Sequence, residues 1–577
     1  MIQGAVAAAR ASKLRPVALD ATIVAAISIF SAFFSGSRQW VGVNSPDSEF
    51  YASLALFGNE VTDRAIDPAY FWTRLGFIAP VRGLISLLGP WVGFALWRLL
   101  LIVLIVASLY WLIRQVSSRK LASVIALFAA LNTMVLSYVG NPYLTGTILA
   151  ATLLFIALAT WCTFGTPRIN WLPAFISGAI AAWLLMLNPY ACFLALSMWV
   201  GIRLVGVFVS PTGRWRTLLF DTFAAIAGFA ASFITFIALG LILFPGLNWV
   251  STYMYWNGRL DYADFISDPM IWASDIALLV PVSALVIAAI SAITTRGNRW
   301  AVSAVVIAFT NIAFTAIYYA LVPGPWLEAP HYVAKLWPGS LAAIGLAAAV
   351  LLQRRNFRSL ALLVPLAALP LILWSGRWAE VIERPIGALI ALLICIGFAV
   401  AASITRRSVD LTSTLAVLVA LAITAVGMQL LQNGRGLTGI YGQYPFRAAY
   451  VDFSGEQIMR EKIKAEQWII DNTSAADTVG IWTDPDHQMA AVAAMQLWGY
   501  NNVSTEATLT REEVDSLELS TPTAIAMYAP TREQVDIFWG SIPPWARPSP
   551  PECTTVKIPG IGVQDAYVCL THLRWLG

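Results

Sequence analysis

The stretch VALDATIVAAISIFSAFFS, Val17 to Ser35, is followed shortly by Asn44-Ser45-Pro46-Asp47-Ser48-Glu49-Phe50-Tyr51. The first segment is close to the roughly 20 apolar residues that cross a hydrocarbon core. Arg10, Lys13 and Arg15 precede it, as they would a signal peptide. The apolar run is long, and no clean small-x-small cleavage site stands before Asp47, so it reads as an uncleaved first membrane helix. The second segment puts two carboxylates one residue apart where that helix leaves the bilayer.

Composition agrees with a membrane class. Of 577 residues, 58% are hydrophobic and 12% charged, with 24 Trp, against roughly a quarter charged in a soluble domain. The net charge is only +4, and Lys and Arg fall in short clusters between apolar runs. Nothing there suggests nucleic-acid binding.

About thirteen apolar runs have spanning length: Val17–Ser35, Pro90–Ile113, Leu121–Val139, Leu144–Phe164, Trp171–Leu187, Tyr190–Val209, Leu218–Phe244, Trp272–Ile293, Ala301–Val322, Leu336–Gln353, Leu360–Trp374, Pro385–Thr405 and Leu411–Leu431. Asn188-Pro189-Tyr190 divides the fifth from the sixth, because proline ends one helix and can open the next. Positive charge stays on the cytoplasmic side. Threading the runs from an inside N-terminus makes Arg114–Lys120, Arg168, Arg203–Arg216, Arg296–Arg299, Arg354–Arg358 and Arg406–Arg407 all cytoplasmic. The expected topology is therefore N-terminus in and C-terminus out. It leaves residues 36–89, Pro245–Ile271, Pro323–Lys335 and everything after Gln432 outside.

The division expected is a membrane domain over residues 1–431 and an outer C-terminal α/β domain over 432–577. That tail is long enough for its own core. Glu456–Asp471, His487–Trp498 and Arg532–Trp539 read as helices, and Thr478–Trp482 and Thr523–Tyr528 as strands. Thr554–Ile558 and Ala566–Val568 read as a hairpin with Cys553 and Cys569 at its ends. In an oxidising outer compartment those thiols are expected to form a disulfide. Cys162, Cys192 and Cys395 lie in apolar runs and read as packing residues. No Cys/His metal spacing occurs.

The Asp47-Ser48-Glu49 pair, in the first outward loop of a many-helix membrane protein, resembles the signature of the GT-C glycosyltransferases. Those enzymes take a sugar from a polyprenyl-phosphate carrier. The resemblance implies many helices with an outer C-terminal domain, and interfacial helices in the first outer loop. Phe50–Phe57 and Tyr70–Leu88, with Arg74 and Arg82, suit such helices. It implies an active site at the outer face of the cytoplasmic membrane and no cofactor beyond a possible divalent cation, Mg or Mn, on Asp47 and Glu49. The partners implied are a polyprenyl-phosphate sugar and a glycan, lipid or protein acceptor.

The chemistry needs a base for the acceptor hydroxyl, and a carboxylate is the usual one in glycosyl chemistry. Asp47 is the candidate, with Glu49 beside it; Asp47 also suits the N-cap of a helix starting at Ser48. The leaving phosphate needs cations. Arg98 lies about 10 Å inside its apolar run at 1.5 Å per residue, where a charge is costly and either functional, paired or snorkelling. His331 and Lys335 share one outer loop, and Arg259 lies beside Asp261 in another. The reading is an inverting membrane glycosyltransferase with Asp47 as base. The alternatives are a lipid-linked sugar flippase, which would bury charges in mid-membrane, and a non-catalytic envelope-assembly protein.

Overall fold

The computed structural model describes residues 17–32, 51, 54–55, 72–130, 135, 138–139, 144–165, 171–209, 215–257, 276–322 and 334–353. Nearer the C-terminus it describes 464–465, 468–469, 471–474, 477, 479–483, 523–529, 531–542, 544, 546, 549–560 and 562–574. The expected spans Leu360–Trp374, Pro385–Thr405 and Leu411–Leu431, the helix His487–Trp498 and the boundary at 431 lie outside the described residues.

The first part is helical. In chain order it holds α1 (Val17–Ala32), α2 (Leu75–Leu88), α3 (Pro90–Arg114), α4 (Arg119–Ala130), α5 (Leu144–Phe164), α6 (Trp171–Leu187), α7 (Pro189–Val209), α8 (Trp215–Leu243), α9 (Trp249–Asn257), α10 (Ile276–Thr294), α11 (Arg299–Leu321) and α12 (Trp337–Gln353). Among the described residues five helices are long and apolar enough to cross a membrane: Val92–Arg114, Leu144–Phe164, Pro189–Val209, Leu218–Leu243 and Arg299–Leu321. The remaining apolar helices are shorter.

Why α5 sits at the centre follows from its residues. It is apolar all round and rich in Ala, Thr and Gly, so no face needs water. About nine-tenths of its apolar window is buried (89%), against 11% for α8. α3, α6, α7 and α12 pack around it. α8 is a peripheral helix, with Phe220, Phe223, Ile234 and Ile242 exposed along it; large apolar side chains turned outward suit lipid.

α8 is nonetheless fixed tightly to α6. A Cβ on Gly178 would lie 1.8 Å from the carbonyl oxygen of Ala225, and one on Gly228 would lie 1.9 Å from that of Phe175. Small residues four apart, Ala174 and Gly178 on α6 and Ala224 and Gly228 on α8, let the two backbones meet. That is how membrane helices associate where burial of apolar surface gives no driving force.

Local signals set the ends. α6 stops at Leu187 and α7 starts at Pro189, as the Asn188-Pro189 pair predicts. Asn188 closes the turn, its N–H donating to Leu184 O at 2.7 Å. Asn298 caps α11, its side chain accepting from the N–H groups of Trp300 and Ala301; this is the usual use of Asn at an N-cap. Two features differ from the sequence reading. Within the described part of that stretch, a turn at Thr73 and Arg74 separates the helical Trp72 from α2, which begins at Leu75. The segment after α8 contains the short helix α9.

Side-chain contacts sort the helix ends into two groups. At one end Arg119 and Tyr110 donate to Asp20, and Arg114 lies 3.8 Å from it. At that end too, Arg299 lies over the Phe164 ring and Arg203 pairs with Asp221. These are the residues that charge distribution assigns to one side of the bilayer. The other end gathers the starts of α2, α7 and α12 with the C-terminal parts of α6, α8 and α11.

Toward the C-terminus, strands β1 (Val479–Thr483), β2 (Ala524–Ala529), β3 (Glu552–Gly560) and β4 (Gly562–His572) form one sheet in the order β1-β2-β4-β3. β1 and β2 are parallel; β2–β4 and β3–β4 are antiparallel. Helix α13 (Arg532–Ser541) follows β2 and starts with a Thr531/Gln534 capping box. Cys553 and Cys569 are cross-strand partners and are disulfide-bonded.

Candidate functional site

Of the four buried cations among the described residues, Arg203 pairs with Asp221, and the other three belong to the opposite end of the bundle. Arg74 is 3% exposed, Lys335 6% and Arg98 7%. Among the described residues the only buried carboxylate is Asp221, and it lies at the opposite end. The balance of buried charge at this end, among those residues, is positive.

Arg74 stands in the turn before α2, and two indoles hold that turn. Trp249 of α9 donates from Nε1 to Thr73 O at 2.7 Å. Trp183 of α6 donates to Gly76 O, also at 2.7 Å. The Arg74 carbonyl accepts from the N–H groups of Phe77 and Ile78 and starts the helix. Its guanidinium lies 5.6 Å from the Tyr253 ring centroid, and Tyr253 stacks on Trp249 at 5.3 Å. A guanidinium within about 6 Å of such a ring is attracted by its quadrupole.

Lys335 stands in a single 3-10 turn, Ala334–Leu336, ahead of α12. Asn311 of α11 fixes this turn, its amide donating to Leu336 O at 2.7 Å and to Ser340 Oγ at 3.3 Å. The ammonium lies 5.2 Å from the Tyr190 ring centroid. Tyr190 in turn hydrogen-bonds Thr315, whose hydroxyl donates to Asn311 O. Backbone turn, aromatic support and buried amide therefore form one connected unit. Burial, and then the positive charge of Arg74, push the Lys335 amine down to about 7.

Arg98 lies two turns into α3. Its neighbour Trp97 meets Phe77 and Trp183 edge-on, both at 6.4 Å. The Arg98 side chain is itself buried.

Of the sequence candidates, Arg98 and Lys335 are found buried at this end. Asp47, Glu49, Arg259 and His331 lie outside the described residues. Nearby, Tyr51, Leu54 and Ala55 are buried in the helical core. Arg74 was visible in the sequence only as one basic residue of an interfacial stretch, and Tyr190, Tyr253 and Trp249 not at all. The signal for Arg74 was its place directly after Trp72-Thr73. Among the described residues no group of three His, Cys, Asp or Glu is assembled to hold a metal ion. The two residues named for a divalent cation are outside them.

In fold the chain is similar to the GT-C glycosyltransferases. In particular it is similar to ArnT from Cupriavidus metallidurans bound to undecaprenyl phosphate. The identity is 13% over 95% of this chain and 97% of that one, with a TM-score of 0.54. Two further solved structures match at TM-scores under 0.5 and add no argument. They are the archaeal oligosaccharyltransferase AglB from Archaeoglobus fulgidus (0.45, 10% identity, 88% and 69% of the two chains) and the arabinosyltransferase EmbB from Mycobacterium smegmatis (0.42, 15%, 77% and 42%). By sequence, no family model and no curated protein matches the chain.

Proposed function

We propose that this chain is a membrane glycosyltransferase that moves a sugar from a polyprenyl-phosphate donor to an acceptor at the outer face of the cytoplasmic membrane. The observation that carries the reading is the burial of Arg74 and Lys335, each against an aromatic ring. Burying cationic side chains away from water is costly. An anion bound between them offsets that cost, and the anion of a lipid-linked donor is its phosphate. Membrane depth supports a lipid carrier, as does the likeness to an enzyme solved with undecaprenyl phosphate.

In this mechanism the donor phosphate lies against Lys335 and Arg74, with Arg98 behind them and His331 and Arg259 as further candidate cations. Preorganised cations in a site shielded from water stabilise charge as it develops on the leaving group. Asp47 takes the proton of the acceptor hydroxyl. The acceptor oxygen attacks the anomeric carbon, the bond from that carbon to the phosphate oxygen breaks, and polyprenyl phosphate leaves. One displacement inverts the anomeric centre. Glu49 assists Asp47, and a divalent cation, where used, would sit between the two. The membrane part spans 1–431 and an outer domain 432–577, with the N-terminus inside; the charge distribution along the chain supports this orientation.

The test uses purified protein in nanodiscs with a labelled polyprenyl-phosphate sugar and measures binding and transfer separately. Asp47→Asn is expected to abolish transfer and leave binding near normal. Arg98→Gln and Lys335→Gln are each expected to weaken binding by about tenfold or more, since a hydrogen bond to a charged group contributes roughly 1.5–3 kcal/mol. Transfer at the parental rate by Asp47→Asn removes Asp47 as base. Parental binding by both cation variants removes the phosphate site.

A further inference from the structure

Two tryptophans meet at the cationic end and use their N–H groups differently. The Trp97 and Trp183 ring centroids lie 6.4 Å apart, edge to face. Trp183 Nε1 donates to Gly76 O at 2.7 Å. Trp97 is 8% exposed, and its Nε1 is buried with no hydrogen-bond partner among the described residues. Nearly all buried polar groups in native proteins are hydrogen-bonded, so an exception calls for an explanation. Such a donor has given up its bond to water with none in return. An indole N–H only donates, so the group that answers it is an acceptor.

Its place in the fold selects the acceptor. The Trp97 ring also meets Phe77 edge-on at 6.4 Å, and the Phe77 N–H donates to Arg74 O at 3.0 Å. Trp97 is thus set against the turn that carries Arg74, and it directly precedes Arg98 on α3. Two more indoles share its condition. Trp72 and Trp337 each have a buried Nε1 with no partner among the described residues. Trp72 stands two positions before Arg74, and Trp337 two positions after Lys335. No other tryptophan in the described helical part has a buried N–H of this kind. Buried cations accompanied by donor-only indoles suit a ligand made of acceptors. A phosphodiester is one: it has no hydrogen to donate, and its non-bridging oxygens share the negative charge.

Resting on the phosphate-site reading above, we propose that Trp97 Nε1 donates a hydrogen bond to a non-bridging phosphate oxygen of the bound polyprenyl-phosphate sugar. The cations attract the phosphate by charge. The indole orients it, because Phe77 and Trp183 hold the ring from two sides. A neutral donor does this without adding a further charge to bury.

The probe is a polyprenyl methyl phosphodiester, which carries the phosphate and no sugar, bound to the full chain in nanodiscs. Trp97 is replaced by β-(3-benzothienyl)alanine, in which sulfur stands for the N–H and the ring outline is kept. Trp183 receives the same replacement for comparison. Tm without ligand and affinity for the probe are measured on each. For Trp97 the expected result is a Tm at or above the parental value, because a buried donor without a partner has been removed. Its affinity is expected to fall by about tenfold, the weight of a hydrogen bond to a charged group. The Trp183 replacement is expected to lower Tm, because Gly76 O loses its donor. Trp97→Phe, which also lacks the N–H, is expected to show the same loss of affinity. Parental affinity in both Trp97 variants, with Lys335→Gln still binding weakly, overturns this inference and leaves the phosphate site standing. A fall in ligand-free Tm for the Trp97 isostere as large as that for Trp183 also overturns it, since the N–H is then a structural donor. So does a loss seen with the sugar-bearing lipid and not with the probe, which assigns the N–H to the sugar. Failure of the parent to bind the probe removes the inference and the phosphate site together.

Discussion

Replacing Gly178 or Gly228 by alanine adds one methyl group at the place where α6 and α8 touch. The new carbon would lie 1.8 Å from Ala225 O in the first case and 1.9 Å from Phe175 O in the second. Ordinary contact begins at 3.4 Å, so each methyl is about 1.5 Å too close. The obstacle is backbone carbonyl, which no side-chain rotation can move aside. The helices must part, and their facing surfaces lose contact along much of their length. Overpacking that a core can absorb costs about 1–3 kcal/mol; these two changes belong at or above the top of that range. A loss of about 3 kcal/mol corresponds to a fall in Tm on the order of 5–10 °C. The assay is thermal unfolding of purified protein in detergent, read by intrinsic fluorescence and by monodispersity after heating. Gly83→Ala is the control. Gly83 is exposed on α2 with nothing within 4 Å of the new carbon, and alanine in a helix interior is favoured over glycine by about 0.5–1 kcal/mol. It is expected to be neutral or slightly stabilising. Parental Tm for Gly178→Ala and Gly228→Ala would refute the close crossing. Because Leu75 packs on Gly240 near the far end of α8, the disturbed variants are also expected to bind lipid phosphate less well.

Asp221→Asn leaves the Arg203 guanidinium buried without its carboxylate and is expected to cost about 3–5 kcal/mol, whereas the double change Asp221→Leu with Arg203→Met, which replaces both charges by apolar groups, is expected to be near neutral; a Tm series on the single and double variants decides it. Cys553→Ser with Cys569→Ser is expected to destabilise the C-terminal sheet by about 3 kcal/mol, seen as faster proteolysis of the tail in intact protein. Cysteine labelling of otherwise cysteine-free protein is expected to mark a thiol at Ser408 from the inside and one at Ser504 from the outside; outside labelling at Ser408 breaks the thirteen-span topology.

The sequence carried the elements best where the signal was local. Pro189 stops one helix and starts another at the residue itself. Cys553 and Cys569 flank a short apolar hairpin, and their pairing needs only the register of two adjoining strands. Arg98 was marked by its depth in an apolar run, but whether it faces lipid or protein depends on its neighbours. α3 is apolar nearly all round, so no stripe gives its orientation. The burial of Arg74 and Lys335 against aromatic rings was not legible at all. It arises because each contact joins residues far apart in the chain, such as Trp249 and Thr73, 176 positions apart. α9 was missed because Trp249-Val250-Ser251-Thr252-Tyr253 lacks the charged face of a solvated helix. Its rings are instead turned into the bundle.

The two indole hydrogen bonds on either side of Arg74 have a thermodynamic consequence. With the carbonyls of Thr73 and Gly76 each gripped by a tryptophan from another helix, the root of the arginine is already ordered before any ligand arrives. Only side-chain torsions remain to be frozen on binding, each ordered side chain costing about 0.5–1.5 kcal/mol. Most of the entropy needed to aim that guanidinium is thus lost when the bundle folds, and the affinity of the cationic end rests in part on Trp183 and Trp249, side chains whose own contribution is to hold backbone still.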